Sequence, residues 1–263
     1  MILKELKNAG LLDCPEFVTK NSILVALTGS IAYGASTDNS DVDIFGVTIP
    51  PESFLRPSKY GEIENFSVGR LPRFDEYQKH HIPYNNSEYD LKIYSIVKFF
   101  QLAMNGNPNV IDMLFCPANC ILHVDVLMQR ILMQKEIFLS KQCYDRFRGF
   151  AYNHLKSMQH VKSGRSDKYG FCVKDFSHVV RQLKGIIEIL ETGNYTLNKY
   201  AEEIIAIRNG KYNYAKAVEY GNDLLNQAEI AKNKSDLREL PDGLAIKKLL
   251  EQTLRDFYSE EIS

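Results

Sequence analysis

The segment over residues 24–47 constrains this chain most, because two apolar runs enclose a Gly-Ser pair and two closely spaced aspartates. The first apolar run predicts a strand that ends at the turn Gly29-Ser30, and a short stretch capable of forming a helix follows. Asp41 and Asp43 then lead into the second apolar run. Residues two apart in a strand point to the same face. The segment therefore predicts two strands that present a pair of carboxylates side by side.

The residue types in this segment suit a metal-bound triphosphate. Two adjacent carboxylates repel each other unless a cation lies between them, and Mg²⁺ binds carboxylate oxygens together with substrate phosphates. The turn Gly29-Ser30 offers backbone N–H groups and a hydroxyl, which bind anionic phosphate. A phosphate-binding turn followed by a metal-binding pair is typical of nucleotidyl transfer. The alternative is a glycine turn followed by a hairpin whose aspartates are solvated.

The order of residues across the segment resembles the DNA polymerase β-like nucleotidyltransferase superfamily. More narrowly, it is similar to the predicted nucleotidyltransferases associated with RNA-repair pathways in bacteria and phages. The string that carries the resemblance is Gly29-Ser30-x-Ala32-Tyr33-Gly34-x-x-Thr37-x-x-Ser40-Asp41-x-Asp43-x-x-Gly46. The resemblance covers roughly residues 24–195, and nothing over 196–263 is recognised. It implies an α+β fold, in which a polymerase β-like core, a small mixed sheet with helices, is followed by an all-helical C-terminal lobe.

A third carboxylate is expected on a later strand. The alternating run 88–94 predicts that strand, with Asp90 and Glu88 on the same side of it. The string Tyr89-Asp90-Leu91-Lys92-x-Tyr94-Ser95 also resembles the RNA-repair-associated family, which favours Asp90 and leaves Glu88 as the rival. The resemblance implies that Asp41, Asp43 and Asp90 are the catalytic and metal-binding residues. They would hold Mg²⁺ or Mn²⁺, with two ions expected.

Six residues are predicted to contact the NTP or to lie beside its site. Gly29 and Ser30 would bind the β and γ phosphates, and Ser40 would cap a turn or contact phosphate. Lys174, His178 and Arg181 lie at i, i+4 and i+7 of a predicted helix, so they share one face. This Lys-x-x-x-His-x-x-Arg pattern also resembles the family, and it implies that Lys174 and Arg181 bind nucleotide across a cleft. The alternative is a solvated helix face.

Two domains are predicted from the change in periodicity along the chain. A catalytic core is expected over 1–122, with strands at 22–28, 41–49 and 88–94. Its segment 52–87 is irregular, with a possible strand at 62–68 and a long loop at 69–86 that carries basic side chains. A helical C-terminal domain is expected over 123–263. Its predicted helices are 124–136, 141–162, 173–191, 199–208, 213–233 and 241–259.

Composition excludes several classes of protein. The 263 residues have a net charge of −1, so contact with nucleic acid must depend on a local patch. The five cysteines are an odd number in a chain that needs no disulfides, which favours reduced thiols in a cytoplasm. Cys116, Cys120 and His123 have no second ligand pair at zinc spacing, so we interpret them as structural. No apolar run approaches the roughly 20 residues of a membrane span, so no membrane partner is expected.

The sequence leaves the acceptor open. Resemblance to the RNA-repair-associated family implies transfer of NMP from an NTP such as ATP to an RNA 3′ or damaged end, with tRNA included. A protein or small-molecule nucleotidyltransferase of the adenylyltransferase type carries the same Gly-Ser and Asp-x-Asp pattern. A non-catalytic regulatory protein is the third class, although the three intact aspartates disfavour it. The oligomeric state also stays open.

Overall fold

The computed structural model describes residues 1–36, 41–61, 73–159 and 168–260. Its N-terminal half is built on one five-stranded sheet with the spatial order β3-β4-β2-β1-β5. The strands are β1 (Ser22–Leu27), β2 (Val42–Thr48), β3 (Glu76–Tyr84), β4 (Ser87–Ser95) and β5 (Ile121–Val124). The pair β2–β4 is parallel and the other three pairs are antiparallel, so the sheet is mixed. The predicted α+β class is confirmed.

Six short helices accompany the sheet in the N-terminal half. They are α1 (Ile2–Asn8), α2 (Glu16–Lys20), α3 (Gly29–Ala32), α4 (Glu52–Leu55), α5 (Ile96–Met104) and α6 (Pro108–Leu114), with 3₁₀ turns at Pro57–Tyr60 and Ala118–Cys120. Ser95 begins α5 and accepts a 3.1 Å hydrogen bond from the Lys98 N–H. Asn107 caps α6 in the same way, with proline at the first helical position. Serine or asparagine before a helical run, and proline at its first position, are helix-start signals in a sequence, and both helices begin at them.

The C-terminal half is helical. Its helices are α7 (Val126–Leu132), α8 (Gln142–Ser157), α9 (Val173–Thr192), α10 (Ala201–Arg208), α11 (Tyr214–Lys234) and α12 (Gly243–Glu260), with a 3₁₀ turn at Lys135–Phe138. α9 is the central helix, because it packs against α8, α10 and α11. Across the described ranges, no helix combines the length and the apolar character needed to cross a bilayer.

Both faces of the sheet are covered. Alternate residues of β1 point to opposite sides, so Val25 packs with Leu3 and Leu6 of α1 in a smaller core. Leu24 and Ala26 face the other way, into a larger core that continues through α5, α6, α8 and α9. One apolar core therefore joins the carboxylate-bearing sheet to the helical half.

Two sequence predictions about the sheet need correction. β5 pairs with β1 and straddles the predicted boundary at 122/123, so residues 123–124 are strand rather than helix. The division into two domains stays a prediction, and the sheet favours a boundary after residue 124. The predicted loop 69–86 contains β3 from Glu76 onward, an edge strand whose side chains are mostly polar and exposed. The possible strand at 62–68 lies outside the described residues.

Candidate active site

The parallel pair β2–β4 brings two of the predicted carboxylates together. Asp43 is the direct register partner of Asp90, so their side chains leave the same face of the sheet. Asp41 lies one residue before β2 begins, and it is exposed. Burial, followed by the negative charges of Asp90 and Asp41, raises the pKa of Asp43, while Lys174 acts in the opposite direction. Asp43 and Asp90 are therefore neighbours across β2–β4, whereas Asp41 lies just outside the strand.

The glycine turn touches this carboxylate cluster. The Thr28 N–H donates a 2.9 Å hydrogen bond to the Asp43 carbonyl oxygen, which ties the turn to β2. Gly29 has a φ of +59°, and a Cβ placed on it would lie 1.9 Å from Asp43 Oδ2. Only glycine allows the backbone to come this close to the carboxylate. Ser30 follows directly in α3 and is half-buried.

A bulge in β3 holds Asp90. The pairing register between β3 and β4 shifts between Lys79 and Ile82, and His81 has a positive φ of 54° there. The His81 backbone N–H donates to Asp90 Oδ1 at 2.9 Å, and His80 Nδ1 lies 3.0 Å from Asp90 Oδ2. Partial burial alone would raise the pKa of Asp90, but these contacts with His81 and His80 lower it. Both carboxylate oxygens of Asp90 therefore have partners from the edge strand.

The rival carboxylate, Glu88, points elsewhere. Its Oε1 lies 2.5 Å from the His81 ring nitrogen, at the exposed end of the β3–β4 hairpin. Glu88 is 45% exposed, whereas Asp90 is 26% exposed. The register and the burial both favour Asp90 as the third carboxylate.

A cavity of about 240 Å³ opens beside the carboxylates. Its walls come from the glycine turn, from one face of β2, β3 and β4, and from the first turn of α6. The lining residues are Thr28, Gly29, Tyr33, Asp43, Ile44, Phe45, Gln78, His80, Asp90, Leu91, Lys92, Tyr94 and Asn109. A larger cavity of about 440 Å³ lies at the C-terminal ends of α9 and α11, and it contains none of the predicted site residues.

α9 places one of its two predicted nucleotide ligands near the carboxylates. Lys174 is exposed, and its positive charge lowers the pKa of Asp43. His178 stacks on His154 with ring centroids 5.0 Å apart. Burial, followed by the neighbouring positive charges of Arg181 and His154, brings the pKa of His178 well below its usual range. The imidazole of His178 is therefore neutral at physiological pH.

Arg181 does not reach the cleft, which corrects the sequence interpretation. Its side chain is 5% exposed, and Nη1 donates a 2.8 Å hydrogen bond to Asp112 Oδ2 in α6. Its guanidinium lies 3.9 Å from the centroid of the Tyr33 ring. Helical spacing correctly predicted that Lys174 and Arg181 share one face of α9. The part of that face near Arg181, however, is covered by α3 and α6. We therefore leave Arg181 out of the proposed nucleotide contacts.

Two further predictions concern Ser40 and the shared metal site of the three aspartates. Ser40 lies outside the described residues. Within the described ranges, no three His, Cys, Asp or Glu side chains are grouped as a metal site. Asp90 faces His80 and His81, so the meeting of all three aspartates on one ion stays a prediction. The sequence interpretation counted His80 among the basic side chains of the predicted loop 69–86, but it did not assign His80 a contact with Asp90.

One family model matches most of the chain. The family model described as RNA repair pathway DNA polymerase beta family matches residues 13–255. An uncharacterized 38.9 kDa protein encoded in the nrdC-mobD intergenic region of Enterobacteria phage T4 is 30% identical over 106 residues, which are 40% of this chain and 29% of that protein. The chain therefore spans less than a third of the length of this relative.

Two solved structures match most of the chain at low similarity. A nucleotidyltransferase-like protein from Exiguobacterium sibiricum 255-15 is 11% identical, with a TM-score of 0.31 over 90% of this chain and 71% of its own. Spectinomycin adenyltransferase AAD(9) from Enterococcus faecialis, solved with ATP and spectinomycin, is 13% identical, with a TM-score of 0.38 over 86% of this chain and 99% of its own.

Proposed function

The chain belongs to the RNA repair pathway DNA polymerase beta family, and on that premise we propose that it is a nucleotidyltransferase that transfers NMP from an NTP to a hydroxyl at an RNA end. The observation that carries the proposal is the pairing of Asp43 with Asp90 across β2–β4, in contact with the Gly29 turn. In this proposal the glycine turn binds phosphate beside the carboxylates that bind a divalent cation. The acceptor is inferred from the family alone.

The donor set fits Mg²⁺ or Mn²⁺. Asp41, Asp43 and Asp90 supply hard carboxylate oxygens, and burial together with the charges of Asp90 and Asp41 raises the pKa of the half-buried Asp43, an effect that a bound cation would offset. Asp41 and Asp43 would hold the ions, and Asp90 would act on the acceptor hydroxyl. When bound, divalent ions supply charge neutralisation for the triphosphate and lower the pKa of the attacking hydroxyl.

The residues around the carboxylates have separate tasks in this proposal. The Gly29 N–H and the Ser30 hydroxyl bind the β and γ phosphates, and Lys174 adds a positive charge from α9. The acceptor oxygen forms a bond to the α-phosphorus while the bond to the β-phosphate oxygen breaks. Pyrophosphate leaves, and Asp90 accepts the hydroxyl proton and passes it to solvent. Catalysis then depends mainly on positioning and on charge compensation.

The acceptor can be identified by labelling. The protein is incubated with each α-³²P-labelled NTP, with Mg²⁺ or Mn²⁺, and with either total RNA or total protein; Asp43→Asn is the matched control. Label that appears in RNA, disappears on RNase treatment and is absent with Asp43→Asn supports the proposal. Label only in the protein fraction identifies a protein acceptor. Absence of label from both fractions contradicts an RNA acceptor and leaves a small-molecule acceptor or a regulatory protein.

His80→Ala should slow transfer about 10- to 100-fold, the usual effect of losing a group that orients a metal ligand. The KM for NTP should change little, because His80 contacts Asp90 rather than the phosphate-binding turn. His81→Ala is the matched control: its ring contacts Glu88, while its backbone N–H still binds Asp90. Steady-state kinetics of both variants check this, and equal losses of kcat would contradict the role of His80.

Gly29→Ala should abolish transfer, because the new methyl group would displace the Asp43 carboxylate. Gly10→Ala is the matched control, since Gly10 has a φ of +73° and nothing lies within 4 Å of an added Cβ. Both variants should lose about 1 kcal/mol of stability from the left-handed backbone, and the added contact makes Gly29→Ala the less stable. Normal transfer by Gly29→Ala would show that the turn does not need to contact Asp43.

A further inference from the structure

Asp112 lies at the centre of a buried polar cluster that joins the two halves of the chain. Its Oδ2 accepts hydrogen bonds from Tyr33 OH at 3.1 Å and from Arg181 Nη1 at 2.8 Å, and its Oδ1 accepts one from Tyr195 OH at 3.1 Å. None of these four residues is more than 7% exposed. The cluster connects the end of α3, α6, α9 and the segment that follows α9.

A buried ionic cluster stabilises a core less effectively than apolar packing does. Removing a carboxylate and a guanidinium from water costs several kcal/mol per ion, and apolar residues of the same volume are often at least as stable. Burial alone would lower the pKa of Arg181, but the charge of Asp112 raises it, so the guanidinium stays charged. Its Nε is buried without a hydrogen-bond partner among the described residues. Stability alone therefore explains the cluster poorly.

Tyr33 connects the buried polar cluster to the glycine turn. Its backbone N–H donates to the Gly29 carbonyl oxygen at 3.2 Å, and the Ala35 N–H donates to the Ser30 carbonyl oxygen at 2.8 Å. The Tyr33 ring lies under the Arg181 guanidinium and lines the cavity beside Asp43. Arg208 of α10 adds a second tie, a 2.8 Å hydrogen bond from Nη1 to the Ala35 carbonyl oxygen. The turn is therefore fixed from the helical half of the chain.

We propose that Arg181, Asp112 and Tyr33 are positioning residues that hold the Gly29-Ser30 turn against Asp43. Arg181 acts through the stack on Tyr33 and through Asp112, without touching the nucleotide. The consequence for NTP binding rests on the proposed function, whereas the effect on the turn does not. Helical packing around α9 and the geometry of the phosphate-binding turn are thereby coupled.

Two tyrosines provide a matched test. Tyr33→Phe and Tyr195→Phe each remove one 3.1 Å hydrogen bond to Asp112, and Tyr195→Phe also removes a 3.5 Å hydrogen bond from Arg181 Nη1. Both side chains are buried, but only Tyr33 adjoins the turn. Hydrogen exchange of the amides over 33–35 is measured in the two variants and in the wild type. We expect exchange to rise about fivefold in Tyr33→Phe, the factor for one ordinary hydrogen bond, and to change little in Tyr195→Phe. Equal rates in both variants, or no increase in Tyr33→Phe, would overturn the proposal.

Arg181→Lys keeps the charge but loses the planar stack on Tyr33. It should raise exchange over 33–35 as Tyr33→Phe does, and unchanged exchange would count against the proposal.

Nucleotide binding separates this proposal from the proposed function. In titrations with a non-hydrolysable ATP analogue and Mg²⁺, Tyr33→Phe should bind about fivefold more weakly than Tyr195→Phe. Equal affinities would overturn the link to binding. If the wild type binds no nucleotide, the proposed function fails, and the exchange comparison still decides whether the cluster positions the turn.

Discussion

Asp43→Asn is expected to reduce nucleotidyl transfer by about three orders of magnitude or more, the scale on which loss of a transition-state electrostatic contact acts. The substitution removes the most central of the predicted metal-binding carboxylates while keeping its volume. The metal-free fold should become more stable, because half-burial and the charges of Asp90 and Asp41 already disfavour the ionised form of Asp43.

Thermal unfolding with and without Mg²⁺ tests the expected effects of Asp43 on stability and on binding of the ion. Mg²⁺ should raise the Tm of the wild type through binding to the native state, and it should have little effect on Asp43→Asn. Glu88→Gln is the matched control, since this neighbouring carboxylate pairs with His81 and is not the register partner of Asp43. A Mg²⁺-dependent rise in Tm that is the same in all three proteins would show that Asp43 does not hold the ion.

The proposed roles of Asp90 and Asp43 differ in the step of the reaction that each residue affects. Asp90→Ala should still bind NTP but transfer poorly, because its proposed task concerns the acceptor hydroxyl.

The local pattern of the sequence was sufficient to predict the strands that carry the carboxylates. Alternation over 88–94 placed Asp90 opposite Leu91 and Ile93, and those two residues are buried beneath α1 as alternation requires. The caps Ser95 and Asn107 fixed the starts of α5 and α6 through short hydrogen bonds within the same segment. These features depend on neighbours in the chain, which explains why a single sequence reveals them.

Features that depend on distant partners were not accessible. β3 is an edge strand of polar residues, and its pairing with β4 depends on a bulge at His81 that no local apolar pattern indicates. Arg181 and Asp112 are 69 positions apart, and their contact follows from how α9 packs on α6. Helical spacing shows which residues share a face, but it does not show which turn of that face is covered. Lys174 and Arg181 illustrate the difference, since seven residues correspond to about 10 Å along a helix.

Arg181→Met should destabilise the fold by about 3–5 kcal/mol, because it leaves the Asp112 carboxylate buried without its charged partner. Urea unfolding measures the free energy. Lys247→Met is the control, since Lys247 is 71% exposed and faces Glu251 at 3.7 Å. Loss of an exposed pair of this kind should cost less than about 1 kcal/mol. A similar small loss in Arg181→Met would show that the buried pair contributes little.

The double variant Arg181→Met, Asp112→Leu should recover most of the lost stability, because apolar residues can replace a buried ion pair at little cost. Nucleotide affinity should not recover with it. Tyr33 would then have neither the carboxylate that accepts a hydrogen bond from its hydroxyl nor the guanidinium that stacks on its ring. A double variant that regains both stability and nucleotide affinity would show that the cluster serves the core alone. A double variant that regains stability but still binds nucleotide weakly would separate the structural role of the cluster from its role in positioning the turn. The fold would then tolerate an apolar replacement that the phosphate-binding turn does not.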